Sequence, residues 1–376
     1  MDHLIVTKLI SLDTSVFGAI AADYFSRDNL VARKVVQFLI DNGFIPLFSI
    51  HHIAEHLQCS DIKVIDKRFS LIRSFPVVAW IKGGVSGLPG SIIDLMGSEI
   101  SLMQDGVKDP SEILQKSKQY LIRYGSGEDL ICRHEEILWT TRALGCFKLQ
   151  RSKAIDSLVH VANRGVLSER LYDIKKYKRN TSIEALKKFD ELKRVITDNL
   201  VKSGDKKLEK VPEVTDWFIG QVKADAQDLF TNDNLSLFDH LLNSYGLSEK
   251  DIDKNTTVGD LGEIATHKEQ LKIVARSYDL NLRKSYKFPM KSIPSKYITS
   301  EVEKCIRSEK RASGSNVIDK YISALSLYVD LNIVDKRVNE YISQIKRKKH
   351  PISKLITTVA KVSHYSEVEK VCKEIL

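Results

Sequence analysis

The first eighty residues alternate between short apolar runs and amphipathic helical patterns. The predicted strands are residues 8–12, 44–48 and 77–81. Between the first two strands, apolar residues at helical spacing from Val35 to Ile40 predict a helix, and Ser49 is placed to cap another after the second strand. Strands that are joined through helices pair in parallel, so this segment predicts a parallel sheet with helices packed against it.

The alternating pattern stops at a glycine-rich stretch and returns near the C-terminus. Residues 83–97 carry five glycines, and much of the chain from residue 110 to residue 275 has helical periodicity. A basic, proline-containing connector at residues 283–294 ends that region. We therefore predict an α/β fold, in which a mostly helical insertion interrupts a parallel sheet flanked by helices. The predicted division of the chain is residues 1–82, 83–299 and 300–376.

A helix followed by a short strand marks the return of the α/β pattern. Ser315 is placed to cap a helix whose apolar face includes Ile318 and Ile322. Residues 331–334 predict a strand that ends directly before Asp335. The C-terminal segment is therefore predicted to complete the α/β core that the N-terminal segment begins.

Composition and charge limit the classes of protein to which the chain can belong. With 43% hydrophobic and 28% charged residues, it lies in the ordinary folded range, and no apolar run is long enough to cross a bilayer. The N-terminus lacks the features of a secretory signal, which favours the cytoplasm. Five cysteines without a C-x-x-C pair indicate neither a disulfide framework nor a structural zinc site. The net charge of +9 favours an anionic partner such as nucleic acid.

Four carboxylates occupy positions that a parallel sheet places near one edge. Asp13 and Asp335 directly follow predicted strands, whereas Glu55 and Asp319 lie in the first turns of predicted helices. Ligands of α/β sheets bind outside the carboxyl ends of the strands. Several carboxylates share a pocket only when a cation offsets their repulsion, and oxygen ligands suit Mg²⁺ or Mn²⁺. The implied chemistry is phosphodiester hydrolysis by a metal-activated water.

The segments that contain these acids are similar to a known family. They read ISLDTS at residues 10–15, GSNVIDKY at residues 314–321 and VDLNIVDKR at residues 329–337. In order and local setting they resemble the PIN domain, whose members are typically metal-dependent ribonucleases, with some acting on DNA. The resemblance implies that Asp13, Glu55, Asp319 and Asp335 are the catalytic and metal-binding residues, and that the substrate is nucleic acid, with RNA favoured. The long interval between Glu55 and Asp319 departs from a compact PIN domain and implies that the insertion folds separately.

Residues beside the acids are candidate substrate contacts. Ser15 is placed to support a metal-bound water or the substrate, and Lys336 and Arg337 are placed to hold a phosphate. The helical insertion is the expected source of substrate or protein-partner selection. The basic segments at residues 175–179 and 283–296 are its candidate contacts to a nucleic-acid backbone.

Two alternative functions remain open from the sequence. His52, Glu55 and His56 fit the H-x-x-E-H pattern of a zinc peptidase, in which the histidines bind zinc and the glutamate acts as base. A further zinc ligand would come from Glu128, Glu135 or Glu136. That hypothesis leaves the other three acids unexplained. The second alternative is a catalytically inactive module that binds nucleic acid or protein through the helical insertion, and the presence of all four acids argues against it.

Overall fold

The computed structural model describes most of the chain outside its middle. The described residues are 7–26, 30–59, 61–84, 88–132, 170–174, 237–308 and 316–376. The chain divides into two compact units. The first comprises Met1–Phe147, Leu271–Ile306 and Val317–Leu376, and the second comprises Lys148–Gln270 and Arg307–Asn316. The predicted cap Ser315, the basic segment 175–179 and the candidate ligands Glu135 and Glu136 lie outside the described residues.

A six-stranded sheet forms the centre of the first unit. Its strands are β1 (Lys8–Leu12), β2 (Phe44–Phe48), β3 (Val78–Ile81), β4 (Ile122–Gly125), β5 (Leu331–Ile333) and β6 (Thr358–Ala360), in the spatial order β4-β3-β2-β1-β5-β6. Strand β4 runs antiparallel to β3, and the other neighbouring pairs are parallel. The predicted α/β fold with a largely parallel sheet is confirmed. Its PIN-like character stays a prediction.

Several of the described helices begin after a residue whose side chain accepts a hydrogen bond from a free backbone N–H group. The described helices are α1 (Thr14–Tyr24), α2 (Leu30–Asp41), α3 (Ile50–Leu57), α4 (Ile62–Ser74), α5 (Ile92–Gln104), α6 (Pro110–Leu121), α7 (Gly127–Cys132), α8 (Leu171–Ile174), α9 (Leu237–Ser244), α10 (Val258–Ser277), α11 (Leu282–Ser285), α12 (Pro294–Ser308), α13 (Asn316–Ser323), α14 (Lys336–Arg347) and α15 (Val368–Lys373). Asp61 caps α4, Asp109 caps α6, and Ser91 with Asp94 forms a capping box on α5. No helix among the described residues is long and apolar enough to cross a membrane.

Side chains along each strand point alternately to the two faces of the sheet, and this separates the core of the first unit into two layers. Ile10 and Leu12 of β1 belong to a buried cluster that includes Phe17 of α1, whereas Leu9 belongs to a cluster that includes Met96 of α5. Successive strand residues point to opposite faces of a sheet, which explains the division. Helices therefore bury both faces of the sheet, as its nearly continuous apolar strands require.

The unit that contains the sheet extends beyond the boundary predicted at residue 82. Strand β4 pairs with β3 from Val78↔Gly125 to Ile81↔Ile122, and residues up to 147 belong to the same unit. The sequence assigned this segment to the insertion because its helices dominate the pattern. Strand β4 itself has one buried residue, Ile122, so it shows no apolar alternation that would reveal a strand.

The second unit has a small hydrophobic core of its own. Leu171, Phe238, Leu242, Leu247 and Leu261 form its buried cluster. The first of these lies in α8, the next two lie in α9, and the last lies in α10. The described part of this unit agrees with the predicted helical character of the insertion.

A buried carboxylate joins three segments of the first unit. Glu99 of α5 accepts hydrogen bonds from the Ser295 N–H (3.1 Å), the Ser295 hydroxyl (2.7 Å) and the Tyr328 hydroxyl (2.5 Å). Ser295 lies in the first turn of α12, so the carboxyl group also faces the positive end of that helix. Burial raises the pKa of Glu99 from 4.5 to about 7, although the hydrogen bonds act in the opposite direction. Glu99 therefore changes its charge near neutral pH.

Gly127 is expected to tolerate no side chain. A Cβ atom there would lie 1.7 Å from the Ile72 carbonyl oxygen, so Gly127→Ala must push α7 away from α4. Leu130 and Ile131 of α7 are buried in the core, and the displacement disturbs their packing. We expect the free energy of unfolding to fall by about 1–3 kcal/mol, the usual cost of overpacking, as measured by denaturant unfolding.

Gly84→Ala is the matched control for this substitution. An added Cβ atom there would meet Asp94 Oδ1 at 3.5 Å, which is an ordinary contact distance. We expect the control to change the free energy of unfolding by less than about 0.5 kcal/mol, as is usual for exposed positions. Equal losses in the two variants would contradict the role assigned to the close approach of Gly127 to α4.

Candidate active site

The strand order reverses direction beside β1. The chain passes from β1 to β2 and β3 on one side, whereas β5 and β6 lie on the other side of β1. In open α/β sheets a ligand crevice forms at such a reversal, outside the carboxyl ends of the two strands. Strands β1 and β5 are partners from Ile10↔Leu331 to Leu12↔Ile333, so the residues that follow them emerge side by side. The candidate site lies at this edge of the sheet.

Asp13 is the first residue after β1, and the backbone holds it against β5. Its N–H donates to the Ile333 carbonyl oxygen at 2.8 Å. Its Oδ2 accepts hydrogen bonds from the Ser15 N–H (3.0 Å) and from the Ser15 hydroxyl, and thereby caps α1. These bonds fix the Asp13 carboxylate at the carboxyl ends of β1 and β5. Ser15 positions Asp13, and its predicted contact with substrate stays a prediction.

Glu55 reaches the same edge from α3. The Thr14 hydroxyl donates to Glu55 Oε2 at 2.7 Å, and Thr14 directly follows Asp13. Strand β2 pairs with β1 and leads into α3, which explains why residues far apart in sequence meet here. The structure therefore holds the Glu55 carboxylate against the residue that follows Asp13.

Asp335 follows β5 and begins α14. Its Oδ1 accepts a hydrogen bond from the Val338 N–H at 2.7 Å, which caps this helix. The Arg337 Nε lies 3.9 Å from Asp335 Oδ2, so the guanidinium offsets part of the carboxylate charge. Lys336 is exposed beside it. Two cations therefore stand next to Asp335 at the start of a helix, a setting that suits a phosphate.

Asp319 lies in the first turn of α13, and the neighbouring residues fix the position of that helix. The Tyr321 ring stacks on the His51 ring of α3, with 4.9 Å between the ring centroids. The Lys320 ammonium pairs with Glu303 of α12 at 2.9 Å. Because His51 lies in the first turn of α3, directly after β2, α13 lies beside the carboxyl end of β2.

The donor chemistry of these acids suits a metal ion better than their arrangement does. Asp13, Glu55, Asp319 and Asp335 offer carboxylate oxygens, which are the ligands that Mg²⁺ and Mn²⁺ prefer. Across the described residues, no three or more His, Cys, Asp or Glu side chains are grouped so that they could hold a metal ion. Asp13 and Asp335 cap helices instead, and Glu55 accepts a hydrogen bond from Thr14. The carboxylate oxygens are therefore suitable ligands for such a metal. For these acids to bind one ion together, their side chains must move closer to each other.

His52 lies inside the protein and links Ser11 of β1 to Ser49, the residue that follows β2. The Ser49 N–H donates to His52 Nδ1 at 3.2 Å, so Nε2 carries the ring proton and donates to the Ser11 hydroxyl oxygen at 3.3 Å. Burial, with a smaller contribution from the nearby His51, lowers the pKa of His52 to about 3. His52 is therefore a neutral positioning residue that fixes the start of α3, the helix that carries Glu55.

The same contacts bear on the zinc-peptidase hypothesis. Both ring nitrogens of His52 have protein partners, so binding of zinc requires the ring to release one of them. Burial also lowers the pKa of His56 well below its ordinary value, and the Arg68 guanidinium acts in the same direction. No described contact favours the zinc site over the carboxylate site.

Asn332 is a polar residue near this edge that is not among the candidates from the sequence. It is fully buried in β5, and neither its Oδ1 nor its Nδ2 has a hydrogen-bond partner among the described residues. Its register partner on β1 is Ser11, so the two side chains point to the same face of the sheet. Buried amides without partners are rare and usually mark a bound water or a functional group. An asparagine inside an apolar strand is the signal in the sequence that could have identified it.

No protein-family model, curated protein or solved structure matches this chain.

Proposed function

We propose that this chain is a metal-dependent nuclease that hydrolyses phosphodiester bonds in the cytoplasm, with RNA favoured over DNA. The observation that carries the proposal is the position of Asp13, Glu55 and Asp335 at the carboxyl ends of β1, β2 and β5, where the strand order reverses. The similarity of the surrounding segments to PIN-domain nucleases and the net charge of +9 support it.

In this proposal, Asp13, Glu55, Asp319 and Asp335 hold Mg²⁺ or Mn²⁺. When bound, the metal supplies an activated water and offsets the charge of the scissile phosphate. Thr14 orients Glu55 and Ser15 orients Asp13 through the hydrogen bonds described above. Lys336 and Arg337 hold a phosphate of the substrate at the start of α14. The second unit selects the substrate or a protein partner.

Cleavage of end-labelled single-stranded RNA and DNA oligonucleotides tests the proposal. The full chain is expected to cleave in Mg²⁺ or Mn²⁺, to lose activity in EDTA and to regain it when the metal is restored. RNA is expected to be cleaved faster than DNA. An absence of metal-dependent cleavage of both substrates contradicts the proposal. Zinc-dependent peptide cleavage that His52→Ala abolishes would instead support the peptidase alternative.

A further inference from the structure

A cavity of about 480 Å³ opens at the carboxyl end of β3, beside the antiparallel strand β4. Its volume lies in the range of small-ligand sites, which is about 300–1,000 Å³. The side chains that give it chemical character are Lys82, Ser101, Asp105, Tyr120, Arg123 and Tyr278. All of them belong to the first unit. The proposed function does not use this cavity.

Two exposed cations line this cavity from neighbouring strands. The Lys82 N–H donates to the Leu121 carbonyl oxygen at 2.7 Å, so the pairing of β3 with β4 continues by one residue and Lys82 lies opposite Leu121. Arg123 lies opposite Trp80, which makes it the diagonal neighbour of Lys82 on one face. Neither cation forms an ion pair with any residue that the structure describes. Adjacent like charges repel, and a bound anion would offset that repulsion.

Tyr278 forms a rigid wall of the cavity. Its hydroxyl donates to Asp94 Oδ1 at 2.9 Å, and its ring packs directly on Gly97, where an added Cβ would lie 2.4 Å from Tyr278 Cε2. Asp94 also accepts from the Gly84 N–H at 2.8 Å, so the negative charge beneath the cavity is hydrogen-bonded. Asp105 is the acid that lines the cavity directly, and it is exposed to solvent.

Tyr120 is the accessible aromatic surface of the cavity. It lies in the last turn of α6, and 64% of its surface is exposed. Exposed aromatic rings beside Lys and Arg are the usual stacking platforms for the bases of single-stranded nucleic acids. Base pairing would keep a duplex base from reaching such a ring. The combination of an aromatic ring and paired cations therefore suits one unpaired nucleotide.

We infer that this cavity binds one nucleotide of a single-stranded nucleic acid, with its phosphate between Lys82 and Arg123 and its base on Tyr120. Strand β3 lies two strands from β1, which is roughly 10 Å at the usual strand spacing, and it ends at the same edge of the sheet as Asp13. A strand bound here thus extends toward the acids. This inference rests on the proposed function for the nature of the substrate, and it assigns single strands rather than duplexes.

Binding is measured by fluorescence anisotropy with labelled single-stranded RNA and DNA and with a duplex, in EDTA so that no cleavage occurs. The native chain is expected to bind both single strands more tightly than the duplex. The double variant Lys82→Gln with Arg123→Gln is expected to bind single strands at least about tenfold more weakly. The slope of the logarithm of its binding constant against the logarithm of the salt concentration is expected to be smaller in magnitude by about one. Equal binding by the native chain and this variant overturns the inference.

A matched double variant controls for general charge effects. Lys34→Gln with Lys67→Gln also removes two positive charges, from exposed positions on α2 and α4 that do not line the cavity. It is expected to change the affinity less than about twofold, because a distant surface charge is screened. A loss equal to that of the cavity variant would show non-specific attraction and overturn the assignment. Thermal unfolding establishes that each variant is folded.

The stacking contact is tested separately. Tyr120→Ala is expected to weaken single-strand binding about tenfold, whereas Tyr120→Phe keeps the ring and is expected to keep the affinity. Tyr124→Ala is the control, since Tyr124 is also exposed, at 56%, but does not line the cavity. Equal losses in Tyr120→Ala and Tyr124→Ala overturn the assignment of the base to Tyr120.

Adenosine monophosphate and the cleavage assay separate the remaining outcomes. If the free nucleotide binds as tightly as an oligonucleotide, the cavity is a mononucleotide site and the strand assignment is overturned. If binding depends on Lys82 and Arg123 but no metal-dependent cleavage occurs, the cavity assignment holds and the proposed nuclease function fails. If cleavage occurs and the cavity variant binds and cleaves as the native chain does, the cavity assignment fails alone.

Discussion

Replacing Asp13 with asparagine is expected to lower the rate of RNA cleavage at least about a thousandfold. Loss of a metal-binding carboxylate removes several kcal/mol of transition-state stabilisation, and each decrease of about 1.4 kcal/mol lowers the rate tenfold. Asparagine remains a good helix cap, so α1 is expected to keep its start and the protein its fold. Asp335→Asn is expected to lower the rate in the same way. It is also expected to keep the fold, because asparagine can replace Asp335 as the cap of α14. Single-turnover cleavage in Mg²⁺ measures both effects.

Asp330→Asn is the matched control for these variants. Asp330 directly precedes β5 and accepts a hydrogen bond from the Leu9 N–H at 2.7 Å, so it lies between the same two strands but toward their amino ends. The asparagine oxygen can accept that bond, and we expect cleavage to stay within about twofold of the native rate, since the amino end of a parallel sheet carries no site. Unchanged activity in both Asp13→Asn and Asp335→Asn would disprove the carboxylate site.

Replacing Glu99 with alanine is expected to lower the free energy of unfolding by about 3 kcal/mol or more. The change leaves the Ser295 N–H, the Ser295 hydroxyl and the Tyr328 hydroxyl without their partner inside the core. Each buried donor that loses its hydrogen bond costs about 1–3 kcal/mol. Glu99→Gln keeps an acceptor oxygen and is expected to lose less. Denaturant unfolding of both variants measures the difference.

The same carboxyl group is expected to make the stability of the first unit depend on pH. The pKa of Glu99 is about 7 in the folded state, above its ordinary value of 4.5. The folded state therefore binds the Glu99 proton more tightly than the unfolded state does. The stabilisation that this proton gives is fully present below about pH 4.5 and is lost as the pH rises through about 7. The difference between the two pKa values corresponds to a loss of roughly 3 kcal/mol in the free energy of unfolding, because each pKa unit is about 1.4 kcal/mol.

Unfolding of the native chain and of Glu99→Gln at about pH 5 and about pH 8 checks this dependence. Glutamine does not titrate, so the variant is expected to lose less stability between the two values than the native chain does. Glu374→Gln, at an exposed position near the C-terminus, is the control and is expected to keep the native dependence. An identical pH dependence in the native chain and Glu99→Gln would contradict the role of Glu99.

The candidate site was predictable where it depends on local patterns. The capping of α1 by Asp13 and of α14 by Asp335 follows from an acid placed directly between a strand and a helix, and the structure shows both. The hydrogen bond from Thr14 to Glu55 was not predictable, because it depends on the pairing of β1 with β2. Nor was the buried position of His52, since a histidine on a helix gives no indication of which atoms surround it.

The sequence by itself determined four of the six strands of the sheet and which acids follow them. Apolar spacing and capping residues act over a few positions, so β1, β2, β3 and β5 could be identified without any knowledge of the fold. The tertiary structure alone decided that β5 lies beside β1, that β4 is the edge strand beside β3, and that Lys82 and Arg123 line one cavity. Those outcomes depend on contacts between residues far apart in the chain. A local pattern contains no information about its distant partner.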